Sequence, residues 1–121
     1  MENEVEVNGK KYVLASSIKA QKRESLALKK YVIVRTYSAG VFAGRLKARA
    51  GQEATLQDSR RLWSWEGAMS LSELAMQGTT KPEKCKFAVP VDEVLLLQAI
   101  EILPCTEAAR KSIESVPEWR T

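Results

Sequence analysis

Arg60 and Arg61 run directly into Trp63 and Trp65, and Arg35 stands two residues before Tyr37. A guanidinium fork grips a phosphate through parallel hydrogen bonds, while a flat indole or phenol stacks on a base or takes a cation on its face. Together these side chains suit a nucleotide. Phe87, set between Lys86 and Ala88, and Arg110 are further candidates for the same chemistry. A plainer reading of the same residues makes Trp63 and Trp65 core aromatics, with the arginine stems laid alongside them. Spacing alone leaves both readings open.

Other chemistries find little material. The chain has no histidine, so imidazole-based general base catalysis and the serine and cysteine triads built on it are excluded. Asp92 and Glu93 are adjacent, and neighbours on a strand point to opposite faces, so they make no working carboxylate pair. Cys85 and Cys105 lack CxxC spacing and read as small buried side chains rather than metal ligands. Neither GxGxxG nor GxxxxGK[ST] occurs. A binder without metal, cofactor or catalytic residue is therefore the expectation, not an enzyme.

The elements that must position the arginines follow from pattern. A chain of 121 residues suffices for one core, and a single domain over 1–121 is expected, with a hairpin and linker over 1–29 and a ligand-binding core over 30–121. The first residues alternate around Asn8-Gly9, which suits a type I′ turn and predicts an N-terminal β-hairpin. From Ser16 to Lys30 the pattern allows a linker or a short amphipathic helix. Tyr31-Val32-Ile33-Val34 is a continuous β-branched run and predicts a strand covered on both faces. A second strand over 41–49 and a third from Glu53 complete a meander. Without a bulge, Ala54, Leu56, Asp58, Arg60 and Leu62 share one face of that third strand, and Arg61 and Trp63 the other.

Ser70 and Glu73 form a capping box, with Met69 and Leu74 as its hydrophobic staple, predicting a helix over 71–77 that Gly78 ends and Pro82 keeps from resuming. Residues 85–91 read as a strand that Pro90 confines to an edge or bulge. Residues 94–103 favour a strand at the Ile100 end, with a helical turn before it as the alternative. Thr106 caps a last helix over 107–114. The fold class is α+β, a β-rich antiparallel meander with an N-terminal hairpin and two short helices.

Charge adds a direction. The net charge is +4, yet residues 19–61 carry eleven cations against three acids, a field that draws phosphate-bearing partners. Aromatics are few and must also fill the core, so a bounded pocket is favoured over a long groove and over nucleic acid as partner; a basic face that contacts nucleic acid or a host protein is the alternative reading. One small chain hardly surrounds a multi-phosphate molecule, which points to a pocket at a subunit interface. No apolar run reaches the roughly 20 residues that span a bilayer, and the acidic start is unlike a secretory signal. The expected location is cytosolic.

The blocks from Tyr31 to Val41, then Arg60-Arg61-Leu62-Trp63-Ser64-Trp65, Ser70 to Ala75, Cys85-Lys86-Phe87 and Ile102 to Glu107 resemble a family of small phage and prophage proteins. That family is similar to the Thoeris anti-defence sponge proteins of the first type. Such sponges sequester a cyclic ADP-ribose isomer made by TIR-domain immune enzymes, and in some members cyclic oligonucleotides of CBASS systems. The resemblance implies stoichiometric capture of an intact signal in the host cytoplasm, by a homo-oligomer built as a dimer or an assembly of dimers. It further implies a pocket using Arg60 or Arg61, Phe87 as the ring stacked on the base, and Arg110. Residues 1–30 carry least of it.

Overall fold

The computed structural model describes residues 29–120. The expected N-terminal hairpin and the linker after it lie outside the described residues. Among the described residues six strands and two α-helices follow one another: β1 (Tyr31–Thr36), β2 (Val41–Ala50), β3 (Glu53–Ser64), α1 (Leu71–Gln77), β4 (Lys86–Phe87), β5 (Val91–Leu96), β6 (Ala99–Pro104) and α2 (Glu107–Ser115). A 3₁₀ turn, Pro82–Lys84, precedes β4. The α+β class and the antiparallel meander of β1, β2 and β3 are as the sequence predicts.

Closure of the sheet was not legible. β6 pairs with β1 on one edge, whereas β5 pairs with β3 on the other, and only Leu97 and Gln98 separate β5 from β6. Laid flat, the two would stand about 19 Å apart, four strand spacings, while three trans peptide steps reach about 11 Å at most. The sheet must therefore roll until its edges approach. Gln52 O accepts from Ala99 N at 2.9 Å, and Gln98 O accepts from Tyr37 N at 3.0 Å, pinning that corner to the two hairpin ends. The helical turn considered before Ile100 does not form, because residues there complete the strand that closes the roll.

Rolling gives the sheet an inside and an outside. Val32, Val34, Phe42, Leu46, Leu56 and Leu96 pack within it. Tyr31, Ile33, Ala43, Leu62 and Phe87 pack outside, beneath Leu74 of α1 and Ile113 of α2. Alternate residues of β1 thus serve two cores, which explains its unbroken apolar run.

β3 changes phase midway. Ala43 faces Arg60 while Arg45 faces Gln57, so β3 holds one residue more than β2 across this interval. Asp58 takes a φ of 51° there, and the inserted residue reverses which parity faces inward. Ala54 and Leu56 point into the roll, but Arg60 and Leu62 point toward the helices, and Arg61 lies opposite Phe42.

Ser70 caps α1 as expected, its Oγ accepting from Glu73 N at 3.2 Å, while the reciprocal bond is shifted by one residue, Glu73 Oε1 accepting from Met69 N at 2.9 Å. The staple does not form, since Met69 is 95% exposed; Leu74 has turned to the core and left it without an apolar partner. Residues 85–91 are likewise not one strand. Pairing stops after Phe87 and resumes at Val91, with Pro90, which has no N–H to give a ladder, in the gap.

Gly78 ends α1 at a φ of 76°, and a Cβ built there would stand 2.4 Å from Ser112 Cβ on α2. Positive φ and close approach act together, so Gly78→Ala should lower stability by about 1–3 kcal/mol. A displaced urea midpoint at unchanged slope is the expected reading, and an unmoved midpoint would refute it.

Candidate functional site

Where β1, β2 and α2 meet, a cavity of about 500 Å³ opens. Lys29, Lys30, Arg45 and Arg110 line it, together with Tyr31, Cys105 and Glu107. Backbone pairing brings these residues together. Leu46 O accepts from Lys29 N, and Leu46 N donates to Lys30 O at 2.9 Å, so both lysines extend the β1–β2 ladder past Tyr31. Arg45 lies directly across from Tyr31. On the other side of β1, Tyr31 O accepts from Cys105 N at 2.9 Å, which sets the start of α2 against the same wall. Thr106 fixes that start, its hydroxyl accepting from Ala109 N at 3.1 Å and donating to Met76 O at 2.7 Å.

Four cations and one carboxylate line the cavity, and Glu114 and Asp58, outside the lining, pair with two of those cations. Arg110 is held by its own helix: Nη1 donates to Glu114 Oε1 at 2.6 Å, and Nε donates to Glu107 Oε2 at 3.1 Å, with Nη2 on the same oxygen. Those bonds hold the Arg110 guanidinium proton more firmly and keep the Glu107 carboxyl below its usual range. Arg45 Nη1 reaches Asp58 at 3.2 Å across exposed surface, a screened contact that an incoming phosphate can displace.

The two remaining wall groups are poor nucleophiles. Burial pushes the Cys105 thiol up to about 12, so it stays protonated at neutral pH. Burial first, then the Glu114 charge, raises the Tyr31 hydroxyl, which has no hydrogen-bond partner among the described residues.

The residues singled out from sequence fall in four places. Arg110 alone of them lines the cavity. Arg35 pairs with Glu101 at 2.9 Å on the exposed surface, and Tyr37 stands exposed at the turn after β1. Arg61 and Trp63 lie on β3, with the Arg61 guanidinium 4.7 Å from the Phe42 ring centroid and 5.5 Å from that of Trp63. Arg60 and Phe87 are interior, only 3% and 0% exposed. All three Arg60 nitrogens donate to backbone carbonyls, and Phe87 is surrounded by core, so neither is free to touch a ligand and the stacking role expected of Phe87 is corrected. Between Arg60 and Arg61, only Arg61 is accessible.

Sequence reasoning missed Lys29, Lys30, Tyr31 and Arg45 as one group. All four sit within the basic 19–61 window and three of them are cations, so the charge excess was the available signal. Their convergence depends on strand register, which no local pattern carries. Trp65 packs partly buried against the outer core, in keeping with the plainer reading, whereas Trp63 is 58% exposed.

The model for a domain of unknown function, DUF6948, matches residues 29–113, the stretch that forms the rolled sheet, α1, all but the end of α2 and every named wall residue of the cavity. The chain belongs to the DUF6948 family. No curated protein matches it. Family membership assigns no activity, so function must be argued from the cavity. Among the described residues no helix is long and apolar enough to cross a membrane, and no group of three or more cysteine or acidic side chains is placed to hold a metal ion.

Proposed function

We propose that the protein is a non-catalytic binder that captures a small phosphate-bearing signal intact. The ligand class is a cyclic nucleotide, either a cyclic ADP-ribose isomer or a cyclic oligonucleotide, and its removal would silence an immune effector in the manner of a phage anti-defence sponge. The observation that carries this reading is the 500 Å³ cavity lined by four cations and one carboxylate, a volume within the range of small-molecule sites. The protonated Cys105 thiol and the absence of histidine from the chain favour holding over cleaving. A second copy of the chain closing the open side belongs to the same proposal, because the described residues of one chain leave the cavity open.

The test is a thermal-shift panel against cyclic ADP-ribose isomers and cyclic di- and trinucleotides. A captured ligand at a hundredfold excess over its Kd stabilises the native state by about 2.7 kcal/mol. Arg110→Ala is expected to weaken capture at least tenfold while leaving the unliganded melt cooperative, since it removes a charge-assisted contact and touches no core residue. Ligand should be recovered unchanged after heat denaturation. A cleaved product, or no shift with any member of the panel, would overturn the proposal.

A further inference from the structure

Away from the cavity, four side chains form a row across β3, β4 and the tail that follows α2. Arg61 lies over Trp63 at 5.5 Å, Trp63 meets Trp119 edge to face at 6.4 Å and 63°, and Lys86 lies over Trp119 at 5.4 Å. The tail is fixed in place, because Trp119 N donates to Phe87 O at 2.9 Å and Glu118 bridges to Phe87 in parallel. The indoles remain open, Trp63 58% and Trp119 41% exposed. Arg61 Nε is buried with no acceptor among the described residues. Arg35, Arg60 and Arg110, by contrast, all have carboxylate or carbonyl partners.

We propose that this row is a landing surface for single-stranded nucleic acid. Exposed rings flanked by cations are the recurring means of gripping an unpaired strand: bases stack on the rings, and phosphates meet the cations. A small ligand is disfavoured because its sites bury most of its surface, and an open row encloses nothing. Duplexes present stacked bases that indoles cannot reach. Acidic peptides would satisfy Arg61 and Lys86 but offer no flat partner to either tryptophan. With two cations the grip is weak and salt-sensitive, consistent with the modest net charge of +4, and it is independent of the cavity.

The experiment is fluorescence anisotropy of a labelled oligothymidylate titrated with the full chain at several salt concentrations. Two neutralised phosphates give a slope of log affinity on log salt of about −1.4, and Lys86→Gln, on an exposed side chain, should reduce it to about −0.7. Trp63→Ala and Trp119→Ala should each weaken binding roughly tenfold, while Trp63→Phe, which keeps a ring, should retain most of it. Thermal melts of the same variants show that each is folded. Arg110→Ala should bind the oligonucleotide as the parent does, which separates this surface from the cavity. No binding at low salt, binding indifferent to Trp63→Ala and Lys86→Gln, or loss confined to Arg110→Ala would overturn the inference.

Discussion

Arg60→Ala should destabilise the protein by about 4 kcal/mol, a large fraction of the stability of a small domain. The guanidinium is 3% exposed and joins three parts of the fold. Its Nε donates to Ala88 O at 3.0 Å and its Nη2 to Phe87 O at 3.2 Å, the end of β4 and the residue after it. Its Nη1 donates to Ile113 O at 3.0 Å and Val116 O at 2.8 Å. The last two are carbonyls at the C-terminal end of α2, where Ile113 O also accepts from the Val116 amide at 3.3 Å and the helix dipole welcomes a cation. Desolvation lowers the hold of Arg60 on its proton, yet an arginine so surrounded by acceptors stays charged. Alanine would take a donor from four carbonyls, of which Phe87 O keeps the Trp119 amide and Ile113 O the Val116 amide, and would leave a void where the side chain lay. Arg60→Lys should recover little, since an ammonium on a flexible stem cannot serve acceptors spread around a planar fork. Urea denaturation checks this, and a loss below about 1 kcal/mol would mean that water substitutes for the guanidinium.

Neighbouring arginines with opposite fates mark where sequence reading stops. Arg60 and Arg61 differ by one position, and which of them turns inward depends on the extra residue at Asp58. Local signals were sufficient where the cause is local. Ser70 sets the start of α1, Thr106 sets the start of α2, and the run from Tyr31 to Val34 marks a strand between two cores. Long-range facts had no such trace. Edge pairing of β5 and β6 with strands on opposite sides of the sheet arises from the rolled geometry, and it turns an ambiguous apolar stretch into two strands. Convergence of Lys29, Lys30, Arg45 and Arg110 on one cavity has the same origin, because the register of β1 against β2 and the seating of α2 decide it. The staple expected of Met69 failed for a related reason: core packing claimed Leu74 first.

Phe87 carries the second large effect. A ring placed to stack on a ligand can be cut back with little cost to the fold, whereas one with no exposed surface cannot. Phe87 is 0% exposed, packed with Leu62, Leu74 and Ile113, and the Arg60 guanidinium lies 5.5 Å from its centroid. Phe87→Ala should therefore cost about 3–5 kcal/mol, the price of a large core cavity, with a melting temperature well below that of the parent. Phe87→Leu, which refills much of the volume, should recover over half of that loss. Ligand capture separates packing from stacking. If the ring only packs, Phe87→Leu at a temperature where it is folded should capture ligand as the parent does, and any failure of Phe87→Ala would reflect unfolding. Loss of capture by folded Phe87→Leu, with parental stability, would instead place the ring against the ligand and require a rearrangement that exposes it. Because Arg60 holds the Phe87 carbonyl while resting on its ring, the two substitutions should also be coupled, the double variant losing less than the two single losses combined.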